Sequence, residues 1–126
     1  MRVYKVKVFV RFQRRERIAN GALAKAVARA ERGLVDADLG GGLIKQRVAR
    51  LGQGKSGGFR TMIAYRQGDM AVFLLGFAKN ERADIDVDEL VVLRNQARAF
   101  FGLTMAQIEA AIADDELQEV IYGDAD

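Results

Sequence analysis

Residues 43–78 read LIKQRVARLGQGKSGGFRTMIAYRQGDMAVFLLGFA, and their patterning decides the fold class. Leu43–Arg50 alternates, with Lys45 and Arg47 on one face and Ile44 and Val48 on the other, which is the period of a strand. Leu51–Gly58 is a Gly-rich loop. Phe59–Arg66 alternates again, with Phe59, Thr61, Ile63 and Tyr65 opposed to Arg60, Met62, Ala64 and Arg66. Gln67-Gly68-Asp69 makes a tight turn. Met70–Ala78 is apolar throughout, the pattern of a central strand buried on both faces. Three strands joined in series form a meander.

Upstream, Val3–Phe12 places Tyr4, Val6, Val8, Val10 and Phe12 on one face, which predicts a half-buried strand. Gln13–Arg17 is a charged connection, and Asn20 is a helix cap ahead of Leu23, Val27, Ala30 and Leu34 at helical spacing. Gly33 ends that helix and residues 38–42 make a turn. Downstream, Asp86 with Glu89 forms a capping box and Ile85 with Leu90 a staple. Thr104 with Gln107 repeats the signal for a last helix carrying Ile108, Ala111 and Ile112. The expectation is an α+β fold of about four largely antiparallel strands with an N-terminal helix and C-terminal helices. It forms one domain over residues 1–126, of which 110–126 is an acidic C-terminal extension.

The composition narrows the chemistry. The chain has 126 residues with no cysteine and no histidine. A disulfide framework, a thiolate nucleophile and a zinc site built on His or Cys are excluded. The commonest general base is also absent. Catalysis would fall to Lys, Arg, Tyr, carboxylates, hydroxyls or backbone, with no cofactor and no metal expected. No apolar run is long enough to span a membrane and no signal-peptide core follows Met1, so the expectation is a cytoplasmic chain without a membrane partner. The net charge is +3, unevenly spread. Residues 39–68 hold Lys45, Arg47, Arg50, Lys55, Arg60 and Arg66 with no Asp or Glu. After Arg98 every charged residue is acidic. Such asymmetry bears on partners rather than on fold.

Three stretches are candidate sites. Gly52-Gln53-Gly54-Lys55-Ser56-Gly57-Gly58 contains Gly-Lys-Ser, but Ala49 stands where a Walker A loop needs glycine, and a strand pattern follows where that loop needs a helix. It reads instead as a hairpin connector whose small residues admit a polyanion. Lys45, Arg47, Lys55 and Arg60 converge if the two strands pair, which suits a phosphate backbone or, more simply, a solvated basic face. Phe59 and Tyr65 fall on the apolar face and read as core rather than as base-stacking residues. The polar run Lys79-Asn80-Glu81-Arg82 directly after the buried strand is held by a rigid scaffold, or is a plain loop with a Glu81–Arg82 surface pair.

Taken together, Lys45–Arg50, Gly52–Arg60 and Phe77–Ile85 resemble the RelE/HigB branch of the toxins of type II toxin–antitoxin systems. The resemblance implies a compact RelE-like domain and a metal-independent endoribonuclease that cuts mRNA on the ribosome. It implies three partners: a cognate helix-turn-helix antitoxin from the adjacent gene, the ribosome with its mRNA, and operator DNA through the antitoxin complex. By position, Lys45 and Arg47 match the family's basic strand residues, and Arg60 matches its phosphate-stabilising arginine. Lys79, Glu81 and Arg82 match the polar cluster after the last strand. Lys55 joins these as a catalytic candidate, and Arg50, Ser56, Arg66 and Asn80 as RNA-binding ones. Asn80 stands where the best-known members carry a catalytic arginine, and Asp86 stands near their base-stacking tyrosine.

The implied reaction is attack of a ribose 2′-hydroxyl on the adjacent phosphate. Glu81, Lys45 or Lys55 would take the proton, a lysine being suited to it only when neighbouring cations disfavour its charged form. Arg60 and Arg47 would hold the developing charge. A non-catalytic RNA- or DNA-binding module and a ParE-like gyrase inhibitor are the rival readings. The acidic segment is either a solvated helix end or a strap folded back on the basic hairpin.

Overall fold

A computed structural model describes residues 1–50 and 54–121, with backbone alone for 54–57. In chain order the elements are β1 (Arg2–Val6), α1 (Lys7–Glu16), α2 (Asn20–Glu31), β2 (Ala37–Asp38), β3 (Leu43–Arg50), β4 (Gly54–Arg66), β5 (Met70–Ala78), α3 (Val87–Phe101), α4 (Met105–Ala113) and β6 (Leu117–Glu119). Among the described residues the strands form one six-stranded sheet in the order β2-β3-β4-β5-β1-β6. β1 lies parallel to β5, and the other neighbours are antiparallel. The α+β class and the meander are as the patterning predicts, and β5 sits centrally with most of its residues buried. The two strands beyond the expected four are β2 and β6, edge strands of two and three residues. Neither is long enough to display an alternation.

One core lies on each side of the sheet. Phe9, Phe12, Leu23, Ala26, Val27 and Ala30 from α1 and α2 pack with Ile44, Val48, Phe59, Ile63 and Phe73. Leu93 and Ala97 of α3 and Ile108 of α4 pack on Tyr4, Leu43, Met62, Ala64, Val72 and Phe77. Both C-terminal helices start as the sequence predicts, each with a complete capping box at Asp86/Glu89 and Thr104/Gln107.

The predicted strand Val3–Phe12 is corrected: it ends at Val6, and Lys7–Glu16 is helical. Phe9, Phe12 and Gln13 are the buried positions, an i, i+3, i+4 set, whereas Val8 is 54 % exposed. Burying an aromatic side chain contributes about 1.5–3 kcal/mol, more than the roughly 1 kcal/mol spanned by strand propensity, so two buried Phe outweigh Val8 and Val10. Gly76 on β5 makes room for them, since a Cβ there would stand 2.4 Å from the Phe12 ring. The Asn20 cap is also corrected. Ala19 is the N-cap, and Asn20 Oδ1 accepts from Lys5 Nζ at 3.0 Å and Gln13 Nε2 at 2.8 Å.

The acidic segment is less of an extension than expected. Through Val120 it belongs to the fold: α4 runs to Ala113, β6 pairs with β1, and Leu117 and Val120 are each 3 % exposed. This edge of the sheet is the one remote from β3, so the described part of the segment does not lie on the basic hairpin. Residues 122–126 fall outside the described residues.

Candidate nucleic-acid interface

The β3–β4 register decides which basic side chains meet. Leu43 faces Ala64, Lys45 faces Met62 and Arg47 faces Arg60, while Arg60 faces Phe77 on β5. Leu43, Met62, Ala64 and Phe77 all belong to the core under α3 and α4, so Lys45, Arg47 and Arg60 project on that same side. Two arginines directly opposite one another repel, a cost of roughly 0.2–1 kcal/mol in a sheet. Arg60 carries a second penalty: its Nη1 is buried without a hydrogen-bond partner among the described residues. The strand is also distorted here. The register shifts between Val48 and Arg50, and Gly58 stands where a Cβ would be 2.2 Å from the Val48 carbonyl oxygen. Only glycine fits this bulge, which re-aims β4 just before Phe59 and Arg60. β4 itself begins at Gly54, so the predicted loop Leu51–Gly58 is shorter than expected, and its residues 51–53 lie outside the described residues.

The second wall is the connection from β5 to α3. The Ala78 carbonyl accepts from the N–H groups of Glu81 (3.0 Å) and Arg82 (3.3 Å), which turns the chain directly after the buried strand. Arg82 lies over the Phe77 ring at 5.1 Å and donates Nη1 to Glu89 Oε2 at 3.1 Å, with a second, shorter contact from Nη2 to Oε1. It also donates to the Asp84 carbonyl at 2.9 and 3.1 Å. The expected Glu81–Arg82 pair is thus replaced by Arg82–Glu89. Glu89 accepts at once from Arg82 and from the Asp86 N–H, and these hold its carboxyl below the usual range, Arg82 most strongly. The Asp84 carboxyl is held low first by the Ile85 N–H and then by Lys45, whose Nζ is 3.1 Å away. The Lys45–Asp84 pair ties the loop to β3, and Phe77 forms the floor between the walls.

Arg47 and Arg50 each have a carboxylate partner. Arg47 Nε is 3.6 Å from Asp36, whose other oxygen accepts the Arg47 backbone N–H at 2.6 Å. Asp36 is itself placed by Gln46, a buried side chain with Oε1 accepting from the Asp36 N–H and Nε2 donating to the Ala26 and Leu34 carbonyls. Arg50 is 3.9 Å from Glu16 and 5.3 Å over the Phe59 ring. Lys79, Asn80 and Glu81 are exposed in the turn, and Glu81 makes no ion pair among the described residues. The side chains of Lys55 and Ser56 lie outside the described residues.

Arg66 does not join the group. It is at the far end of β4, about 20 Å along the strand from Arg60, paired with Asp69 at 2.6 Å and lying 5.0 Å over Phe101. Phe59 and Tyr65 are core residues, as their face predicts. Phe59 is 1 % exposed with its ring edge-on to Phe12, and the Tyr65 hydroxyl donates to Glu31. Among the described residues no cluster of acidic side chains could hold a metal ion.

Asp36, Asp84, Glu89 and Phe77 are the site-building residues that sequence reasoning misses. Asp84 and Phe77 fall inside the polar-loop stretch, but no periodicity says that they meet Lys45 and Arg82. The arrangement is a cleft with an apolar floor, a guanidinium pair on one wall and a mixed polar turn on the other. It suits a phosphodiester flanked by nucleosides, with Arg60 and Arg47 as cationic clamps.

Among the described residues no helix is long and apolar enough to cross a membrane. A search of curated proteins finds no match to the chain. The family model described as the RelE toxin of the RelE / RelB toxin–antitoxin system matches residues 1–120, which takes in both cores, both walls of the cleft and β6. The chain therefore belongs to the RelE family, the toxins of toxin–antitoxin systems that pair with a cognate antitoxin.

Proposed function

We propose that this toxin is an endoribonuclease that cleaves mRNA on the ribosome, with the cleft between β3–β4 and the β5–α3 turn as its active site. The observation that carries the reading is the buried, unpartnered Nη1 of Arg60 beside Arg47. A fold keeps an unsatisfied cationic donor at a cost, and a phosphate oxygen is the acceptor that would relieve it. In the reaction the ribose 2′-oxygen attacks the adjacent phosphorus and the 5′-oxygen leaves, taking a proton from water. The products are a 2′,3′-cyclic phosphate and a 5′-hydroxyl. Arg60 and Arg47 hold the charge that builds on the phosphorane oxygens.

Glu81 takes the 2′-hydroxyl proton. Its carboxylate is exposed and without an ion-pair partner among the described residues, whereas Lys45 is engaged by Asp84. Lys45 then steadies the turn through Asp84 and offers charge to a neighbouring phosphate. Arg82 keeps the turn in place over Phe77, and Lys79 and Asn80 contact the flanking backbone, whereas Arg50 lies on the α1 side beside Glu16 and Phe59.

The test is primer extension on a model message, incubated with the toxin in a complete translation mixture and, separately, as naked RNA. Cuts confined to the translated message, and lost in Arg60→Ala and Glu81→Gln, are the expected result. Bound but intact message would replace this reading with a binding module. Intact message with double-strand DNA breaks would replace it with a gyrase poison.

A further inference from the structure

The parallel pair of strands opens a second hollow, apart from the cleft. β1 runs directly into α1, which packs with Phe59 and Phe73 on one side of the sheet, while β5 leads through its turn to α3 on the other side. Neighbouring parallel strands whose helices part in this way leave a crevice outside their carboxyl ends, where such sheets take ligands. A cavity of about 390 Å³ lies there, lined by Val6, Val8, Leu75, Val92 and Leu93. Val8 is 54 % exposed and Val92 57 %. Two aliphatic side chains from different helices are thus left open to solvent across one hollow.

The rim of this hollow carries one sign of charge. Asp88, Val92 and Gln96 recur at i, i+4 spacing and share the flank of α3 that walls it, with Asp86 and Glu89 beside them. No Lys or Arg lines it, although the chain as a whole has a net charge of +3. Asp88 is exposed and forms no ion pair among the described residues. Such a rim repels a polyanion, so the hollow does not extend the RNA interface. Apolar walls under carboxylates fit a segment that carries aliphatic and basic side chains together. Glu89 joins the hollow to the cleft, because the same carboxylate receives Arg82, which holds the β5–α3 turn.

We propose that this hollow docks a segment of the cognate antitoxin that pairs aliphatic with basic side chains, one of whose cations competes with Arg82 for Glu89. The antitoxin is the protein that a toxin of this family pairs with, whereas the rim disfavours RNA. Its aliphatic side chains fill the gap between Val8 and Val92, and its cations meet Asp88 and Glu89. Docking then loosens residues 79–84 from the flank of the cleft instead of plugging it. The docking does not rest on the nuclease reading, and it is read by shifts and exchange rather than by cleavage.

The test is NMR titration of isotope-labelled toxin with the blocked peptide Lys-Leu-Leu-Arg-Lys-Leu-Leu-Arg. Controls are the same peptide with Glu for each Lys and Arg, the same peptide with Ser for each Leu, and oligoadenylate. Saturable shifts at Val8, Asp88, Val92 and Gln96 are expected with the first peptide alone, together with faster amide exchange across residues 79–84. Val8→Ser/Val92→Ser should weaken binding by roughly tenfold or more, the scale of one buried aliphatic side chain. Asp88→Asn should weaken it by roughly twofold to fivefold, as an exposed ion pair does. All three positions are exposed, and an otherwise unchanged spectrum certifies the fold. The purified toxin–antitoxin complex should no longer take up the peptide, and equal uptake by complex and free toxin overturns the antitoxin as occupant. Shifts at these residues that grow with toxin concentration alone assign the hollow to a second copy and overturn the proposal. So do absence of binding, equal binding of any control, or unchanged exchange across residues 79–84 when the peptide is bound.

Discussion

Replacing Arg60 by Met should stabilise the toxin while disarming it. The guanidinium has a buried Nη1 without a partner and a second arginine directly across the strand pair. An unsatisfied buried donor costs about 1–3 kcal/mol and a cross-strand like-charge pair roughly 0.2–1 kcal/mol. Met retains most of the apolar stem that lies beside Phe77, so little packing is lost. The net expectation is a gain of about 1–2 kcal/mol, and a melting temperature higher by something on the order of 5 °C for a domain of this size. Part of the gain is charge repulsion, so it should shrink when salt is raised. Urea and thermal unfolding of both proteins, at low and high salt, measure it. The same variant should lose on the order of a hundredfold or more in message cleavage, as expected when a transition-state donor is removed. A variant less stable than the parent would show that Arg60 is satisfied and structural. A variant that still cleaves would remove Arg60 from the site.

Arg82→Ala should lower the melting temperature only slightly, because its pair with Glu89 is partly open to solvent, yet it should raise amide exchange across residues 79–84 and lower cleavage; unchanged exchange would mean that Arg82 does not hold the turn. Gly58→Ala should destabilise the fold by about 1–3 kcal/mol, since its Cβ would stand 2.2 Å from a backbone oxygen that cannot swing aside, and chemical denaturation reads the loss. Glu31 accepts from the Tyr65 hydroxyl and the Gly68 N–H, which lower its pKa in the folded chain. That stability is present above the ordinary Glu value of about 4.3 and is lost as pH falls through the folded value. Glu31→Gln should accordingly flatten the acid limb of the stability–pH curve, and an unaltered limb would contradict the assignment.

The parts of the fold that were legible are those whose signal is local. The meander announces itself by period and punctuation within residues 43–78, and the two capping boxes need only four residues each. Val3–Phe12 misled because its valines alternate, while the residue that makes a helix the better answer is Gly76, which receives Phe12 from the far side of the sequence. β2 and β6 are held by neighbours rather than by their own pattern. The same division runs through the cleft. Lys45, Arg47 and Arg60 could be placed on one face because strand pairing obeys simple arithmetic. Arg66 obeys the same alternation yet stands at the far end of β4 beside Asp69 and Phe101, because alternation gives a face and not a distance. Asp36 and Asp84 reach the cations from loops, and Glu89 was explained by its cap alone although it serves Arg82 as well.

The order of the sheet has a consequence for biosynthesis. β1, the earliest of these strands in chain order, lies between β5 and β6, with Arg2 opposite Met70 and Tyr4 opposite Glu119. Pairing over such separations is slow, and the outer edge of β1 stays open until β6 has formed. A translation product that stops before residue 117 leaves one edge of β1 bare and the core around Ile108 without Leu117. Truncated products should therefore be aggregation-prone substrates for proteolysis rather than partial toxins. The sheet is complete only once residues 117–119 have joined β1.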